Sequence, residues 1–225
     1  MKKLFLFILL FAGLQESFSQ NLVWDSTHRP NNFAHKTEQF RSYPNASSDI
    51  IFLGNSITAG TDWAELLGNP HTRNRGISGD ISFGILERLD EVTEGKPAKV
   101  FILIGINDIS RNIPDSVILR NYQRMIDRIQ SESPATKIYV QTILPVNNDF
   151  PVKNQFNKDE HINYVNLELK KMAEKEKVRI IDLYKEFLSA DNKLDKKYTY
   201  DGLHLNAEGY KHWAEILKKG KYLVK

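Results

Sequence analysis

Cysteine is absent from this 225-residue chain. Its absence excludes disulfides, thiolate catalysis and zinc sites built on Cys ligands. A His-Glu-x-x-His pair is also missing, and His28, His35, His71, His161 and His212 share no metal-ligand spacing, so no metal is expected. No Gly-rich phosphate loop follows the first strand-like segment, which argues against nucleotide or flavin binding. Basic clusters are scarce as well. The 14 Lys/Arg against 9 Asp/Glu over 170–225 are interleaved, as in Lys171, Glu174, Lys175, Glu176 and Lys177. That pattern reads as a solvated helix face and excludes nucleic acid as a partner. Long hydrophobic runs are few, and the run from Leu4 to Leu14, eleven residues, is too short to span a bilayer.

That run sits between Lys2-Lys3 and the polar stretch Gln15–Gln20, which carries small residues at Ser17 and Ser19. The layout is that of a secretory signal, 1–19, cleaved after Ser19. With no Cys after it, a lipid anchor is excluded. The expectation is an exported protein, periplasmic or extracellular, without integral membrane association. The remaining composition is that of a globular domain: 41% hydrophobic and 26% charged, with a net charge of only +3. A domain of this size can bury roughly 70% of its unfolded surface and needs no metal or disulfide staple.

Residues 20–48 are polar but carry Trp24, Phe33, Phe40 and Tyr43, and read as an irregular N-terminal arm packed on the domain that follows, 49–225. From there the pattern alternates. Strand-like segments fall at 50–53, weakly at 72–75, then at 99–104, 137–144 and 179–183, with helix-period segments at 83–92, 116–132, 159–177 and 206–219. Asp115 or Ser116 is expected to cap the second helix and Asn206 the last. Five strands alternating with helices predict an α/β fold, a parallel sheet covered on both faces. The near-continuous apolar run 99–104 fits a strand buried on both sides.

In such sheets functional groups gather beyond the carboxyl ends of the strands. Those positions hold Gly54-Asn55-Ser56-Ile57-Thr58, Arg75-Gly76-Ile77-Ser78-Gly79-Asp80, Gly105-Ile106-Asn107-Asp108 and, before the last helix, Tyr200-Asp201-Gly202-Leu203-His204. A hydroxyl nucleophile needs a base, an acid group to orient that base, and donors for the developing oxyanion. Ser56 is the candidate nucleophile and His204 the base. Asp201, three residues earlier, is placed to meet the imidazole Nδ1. The Ser56 and Gly79 backbone N–H groups and the Asn107 amide are candidate oxyanion donors. Taken singly, each of these is a cap or turn residue; their joint occurrence at one sheet edge carries the reading.

Together the four blocks resemble those of the SGNH (GDSL-like) hydrolase family, in order and spacing over about 50–215. The resemblance implies a three-layer α/β/α sandwich of flavodoxin-like architecture, an esterase-type serine mechanism, and no metal or organic cofactor. One position departs from the pattern: Asn55 stands where the family usually has Asp before the nucleophile. Asn makes similar local hydrogen bonds in a turn, so activity is expected to survive. The Gly-x-Ser-x-Gly elbow of α/β-hydrolases is absent, since residue 58 is Thr.

Trp63 and Trp213 read as packing residues, with Trp63 close enough to the nucleophile loop to line a site. Asp191–Asp195 reads as a turn. Arg111-Asn112 and the loop 147–157, which mixes amides with Phe150 and Phe156, should rim Ser56. Amides plus aromatics suit hydroxyl-rich rings. The expected substrate is therefore an acylated glycan or small molecule, and the expected activity removal of O-acetyl groups from carbohydrate. The alternatives are a lysophospholipase or acyl-thioesterase, or a catalytically silent carbohydrate-binding domain. For export, N-terminal sequencing of the processed protein should begin at or near Gln20; an intact Met1 on exported protein would overturn the signal reading.

Overall fold

The computed structural model describes residues 24–224, so the segment read as a signal, 1–19, lies outside the described residues. In chain order the elements are α1 (Phe33–Ser42), β1 (Ile50–Gly54), α2 (Ser56–Ala59), α3 (Trp63–Leu67), β2 (Thr72–Gly76), α4 (Ser82–Glu87), α5 (Asp90–Thr93) and β3 (Lys99–Leu103). They continue with α6 (Ile106–Ser110), α7 (Asp115–Glu132), β4 (Lys137–Gln141), α8 (Asp159–Lys175), β5 (Arg179–Ile181), α9 (Leu183–Glu186), a 3-10 turn (Lys196–Tyr198) and α10 (Ala207–Lys219).

The five strands form one parallel sheet in the order β2-β1-β3-β4-β5. The chain thus moves one way from β1 to β2 and the other way from β2 onward. Right-handed crossovers therefore place α3 on one face and α4, α7 and α8 on the other, giving an α/β/α sandwich. The direction reverses between β1 and β3, where an open sheet forms its crevice.

Each face has its own adhesive. Phe52, Phe101 and Tyr139 are neighbours in register and stack across β1, β3 and β4 at 4.9 and 4.5 Å. Trp63 of α3 lies flat on Phe52 at 3.9 Å, and Trp213 of α10 meets Trp63 edge-on at 4.8 Å. Such pairs add about 0.5–1.5 kcal/mol each beyond the area they bury. Trp63 is 1% exposed, so it belongs to this core and does not line a site; its indole N–H donates to Thr58 O at 2.9 Å, under the nucleophile loop. On the opposite face α7 buries Ile118, Tyr122, Met125, Ile126 and Ile129, spaced as one helical stripe. The Tyr122 hydroxyl donates to Ile104 O (2.9 Å) and accepts from Ile104 N (3.1 Å), satisfying both backbone groups just after β3 ends.

Several sequence boundaries are corrected. The arm is not irregular: 33–42 form α1, whose Phe33 and Phe40 bury against Ile77. Arg29–Glu87 and Arg41–Asp90 ion pairs add to the docking. The segment read as one helix over 83–92 is two short ones, parted at Arg88, whose φ of −108° and ψ of 16° leave the helical range. The strand segments end earlier than read, at 103, 141 and 181. Asn206 caps α10 by accepting from Gly209 N (3.0 Å). Neither Asp115 nor Ser116 caps α7, which starts after Pro114; the Asp115 carboxylate instead meets His161 Nδ1 at 2.9 Å.

Two buried polar knots underlie the loops at the carboxyl edge. Arg88 is fully buried; it pairs with Asp80 and Glu91 at 3.1 Å each and donates to Gly54 O (3.2 Å) and Arg75 O (2.9 Å). Arg75 in turn pairs with Glu91 at 2.9 Å. Burial pushes the Asp80 carboxyl up to about 6, although the Arg88 charge pulls the other way. In the second knot Asp108 accepts from Ser82 N (3.0 Å) and Ser82 Oγ (2.5 Å), and Asn121 of α7 donates to the same Ser82 Oγ (2.8 Å). Complete burial pushes Asp108 up to about 7 against the pull of Ser82's donors.

Removing one partner from a buried ionic cluster strands the others. Arg88→Met should therefore lower unfolding free energy by about 3–5 kcal/mol, read from urea midpoints. Asp108 gives a pH signature. A carboxyl raised in the folded state binds its proton more tightly there than in the unfolded chain, so its contribution is present at low pH and fades as pH rises through about 7. The thermal midpoint should fall across this window, and Asp108→Asn should flatten that part of the curve.

Candidate active site

Three of the four sequence blocks leave adjacent strands on one side of the sheet. Gly54 at the end of β1 pairs in register with Gly76 of β2 and with Leu103 of β3. The chain segments carrying Ser56, Gly79 and Asn107 are thus neighbours before any side chain is considered. Ile77 N donates to Gly54 O (3.1 Å), extending the contact between the first two beyond the strands.

Ser56 is the first residue of α2. Asn55, completely buried, caps that helix by accepting from Ile57 N at 3.0 Å. This is the local bond that an Asp at the same place would make. Its Nδ2 meets no acceptor among the described residues. Below it, Thr58 O is held by Trp63 and by Asn74 Nδ2 (3.2 Å), so the turn after β1 is fixed from two directions.

Ser56 Oγ lies 2.9 Å from His204 Nε2, across 148 positions of sequence. His204 Nδ1 lies 2.8 Å from Asp201 Oδ2. The other Asp201 oxygen accepts from the backbone N–H groups of Leu203 (3.0 Å) and His204 (2.8 Å), so a single turn holds acid and base together. Gly202 makes that turn possible. Its φ is +81°, and a Cβ there would stand 2.4 Å from Asn147 O. Burial alone would raise the Asp201 carboxyl; the His204 hydrogen bond and then the two backbone donors outweigh it and hold the group down at about 2. Asp201 is accordingly an anion at neutral pH. With Nδ1–H given to that anion, Nε2 presents its lone pair to the Ser56 hydroxyl. A hydroxyl, imidazole and carboxylate so linked can withdraw a proton from Oγ and return it to a leaving group.

Gly79 and Asn107 line one cleft of about 480 Å³, together with Asp25, Ser110, Arg111, Asn154 and Gln155. Gly79 has φ +82°, and Pro30 of the arm lies over it. Asn107 donates from Nδ2 to Asp80 O (3.0 Å) and accepts at Oδ1 from Gln155 Nε2 (3.2 Å). Of the residues expected to rim Ser56, several line this neighbouring cleft, which Ser56 itself does not line. Arg111 and the 147–157 loop reach the cleft, but Asn112 turns away, with φ +56°, to accept from Lys158 Nζ at 2.8 Å. Phe150 and Phe156 both pack against Gly202, and Phe156 is only 5% exposed.

Sequence reasoning missed three contributors. Lys153 Nζ stands 3.2 Å from Asp201 Oδ2. Asp25 of the arm lines the cleft. Tyr200, 63% exposed, places its ring nearly parallel to that of His204 at 6.0 Å. Tyr200 was signalled only by its place beside Asp201 and Lys153 only by lying in the 147–157 loop; Asp25 carried no signal. Among the described residues no group of three or more His, Cys, Asp or Glu is arranged to hold a metal, and no helix is long and apolar enough to cross a membrane. Asp191–Asp195 is a turn, with Asn192 at φ +59° and Ser189 Oγ donating to Asp191.

Comparison with known proteins shows the family and the fold. Residues 52–212 match the model of the GDSL-like lipase/acylhydrolase family. Platelet-activating factor acetylhydrolase IB subunit alpha2 of Rattus norvegicus is 27% identical over 177 residues, 76% of this chain and 73% of the relative. The crystal structure of a GDSL-like lipase from Bacteroides thetaiotaomicron superposes with TM-score 0.74 at 24% identity, covering 84% of this chain and 96% of that one. That of an acetyl xylan esterase superposes with TM-score 0.65 at 23% identity, covering 76% and 98%. The chain belongs to the GDSL-like lipase/acylhydrolase family and is a hydrolase of ester bonds.

Proposed function

We propose that this protein is an exported serine esterase that removes small acyl groups, chiefly acetyl, from carbohydrate. The observation that carries the reading is the unbroken Ser56–His204–Asp201 chain, with links of 2.9 and 2.8 Å. Ser56 Oγ attacks the ester carbonyl while His204 Nε2 takes its proton. The carbonyl oxygen becomes an oxyanion that the Asn107 amide and the Gly79 and Ser56 N–H groups receive. Collapse expels the alcohol, which leaves with the proton from His204. Water, deprotonated by the same imidazole, then frees the acid from Ser56.

The substrate class rests on what lines the cleft. Its walls are amides, a hydroxyl and the charges of Asp25 and Arg111, without an aliphatic side chain. A long acyl chain would want an apolar groove, whereas hydroxyl-rich groups can pair with such walls. Tyr200 adds one exposed flat ring beside His204. The names of two similar proteins, an acetylhydrolase and an acetyl xylan esterase, both specify an acetyl group.

Four measurements test the proposal. Ser56→Ala and His204→Ala should each lower kcat for acetate release by roughly 10⁴- to 10⁶-fold, with the double variant hardly slower because the pair acts as one unit. Asp201→Asn should lose less than either, and a fluorophosphonate should label the wild type at Ser56 only. Across p-nitrophenyl esters kcat/KM should fall with acyl length, and acetate should be released from acetylated glycans. Wild-type turnover in Ser56→Ala would refute the mechanism; a preference for long chains would favour the lysophospholipase or thioesterase alternative.

A further inference from the structure

We propose that the 147–157 loop is a strap that sets the catalytic geometry, with Gln155 as the positioning residue for the Asn107 amide. The proposal rests on the esterase reading above.

The strap is built to stay in place. Asn147 N donates to Gly202 O (2.8 Å) and Asn147 Nδ2 to Leu194 O (2.8 Å). Asp149 pairs with Lys193 (2.5 Å) and Lys196 (2.8 Å). Asn148 Nδ2 donates to Asn157 Oδ1 (2.8 Å), closing the loop on itself, and Phe150 and Phe156 fill the space against Gly202. From this base the strap reaches the two halves of the site. Lys153 contacts the Asp201 oxygen that holds His204, and Gln155, two residues on, donates to Asn107 Oδ1.

The second contact matters because of the chemistry of a primary amide. Rotation of half a turn about its last torsion exchanges NH2 for C=O. Facing the oxyanion, the first is a donor and the second repels it. At Asn107 one Nδ2 hydrogen goes to Asp80 O, and Oδ1 is occupied by the Gln155 donor. Both contacts demand the same orientation, and together they leave the second Nδ2 hydrogen for the substrate. With Gln155 removed, Asp80 O alone holds the amide. A donor that must be waiting for charge before it forms acts through preorganisation, so the loss should appear in the transition state.

The experiment is a double-variant cycle on p-nitrophenyl acetate with the full chain. Gln155→Ala should lower kcat roughly 10- to 100-fold with little change in KM, as for a modest misplacement of a catalytic group. Gln155→Glu keeps the length but offers an acceptor where a donor is needed, and should be at least as slow at neutral pH. In an Asn107→Ala background, removing Gln155 should change kcat by less than about twofold, since the two act through one contact. Multiplicative losses in the cycle would overturn the proposal, as would a raised KM with kcat intact, or wild-type kcat in Gln155→Glu. If Gln155→Ala fails to give native circular dichroism, Gln155→Glu carries the same comparison. The esterase reading stands or falls separately, on Ser56→Ala and on labelling of the wild type.

Discussion

The buried guanidinium of Arg88 is the interaction on which the catalytic edge depends. One side chain ties together the last carbonyl of β1, the Arg75 carbonyl of β2 and the carboxylate of Asp80. A guanidinium is the only side chain with enough donors, in a rigid plane, to reach all three and Glu91 as well. Those partners do not sit beneath an arbitrary patch of surface. Gly54 is two residues from Ser56, and Asp80 follows Gly79 while its carbonyl accepts from Asn107. The cluster therefore fixes the spacing between nucleophile and oxyanion loops from inside the protein. Its cost in desolvation is visible in the raised carboxyls of Asp80 and Glu91.

The other half of the site is assembled by different means. Asp201 and His204 come from one turn near the end of the chain, held by backbone donors to a single carboxylate oxygen. Tyr210 of the following helix donates its hydroxyl to Ile57 O (2.9 Å), one residue from the nucleophile. That bond docks the His-bearing turn against the Ser-bearing one, and the aromatic packing of Trp63 and Trp213 supports it from below. Local geometry pairs acid with base; tertiary packing then delivers the pair to the serine.

How much of this could be read beforehand follows from the range over which each signal acts. Strands β1, β3 and β4 announce themselves because burial on both faces demands continuous apolar sequence. The edge strand β2, Thr-Arg-Asn-Arg-Gly, carries almost no such signal, yet Gly76 at its end marked it. The blocks holding Ser56, Gly79 and Asn107 were legible because topology sends strand ends to one edge, and Asp201 and His204 because three-residue spacing lets one turn pair acid with base. The failures are side chains whose direction only tertiary structure decides. Arg88 fell unremarked within the helix-period segment 83–92, and its side chain is in the core. Phe150 and Phe156 looked like ligand contacts and pack against Gly202, while Tyr200, next to His204, is the ring left in the open. The arm hid α1 because its polar residues His35, Lys36, Glu38, Gln39, Arg41 and Ser42 outnumber its three anchoring positions, Phe33, Thr37 and Phe40.

That arm gives the molecule an order of vulnerability. Phe33 and Phe40 close over Ile77, and Pro30 lies on Gly79, so the loop bearing a proposed oxyanion donor has its outer wall in a segment that belongs to no strand of the sheet. The large core of the sandwich lies elsewhere and does not need this segment to stay packed. Local opening is governed by the contacts a segment owns, and here they are one small apolar cluster, the stacking of Trp24 on Phe83, the Arg75 and Arg88 guanidiniums over Phe40 and two ion pairs. Heat, denaturant or a protease acting on residues 24–42 would thus reach the shape of the reactive cleft while the sheet remained intact. Activity would be the earlier casualty and global unfolding the later one.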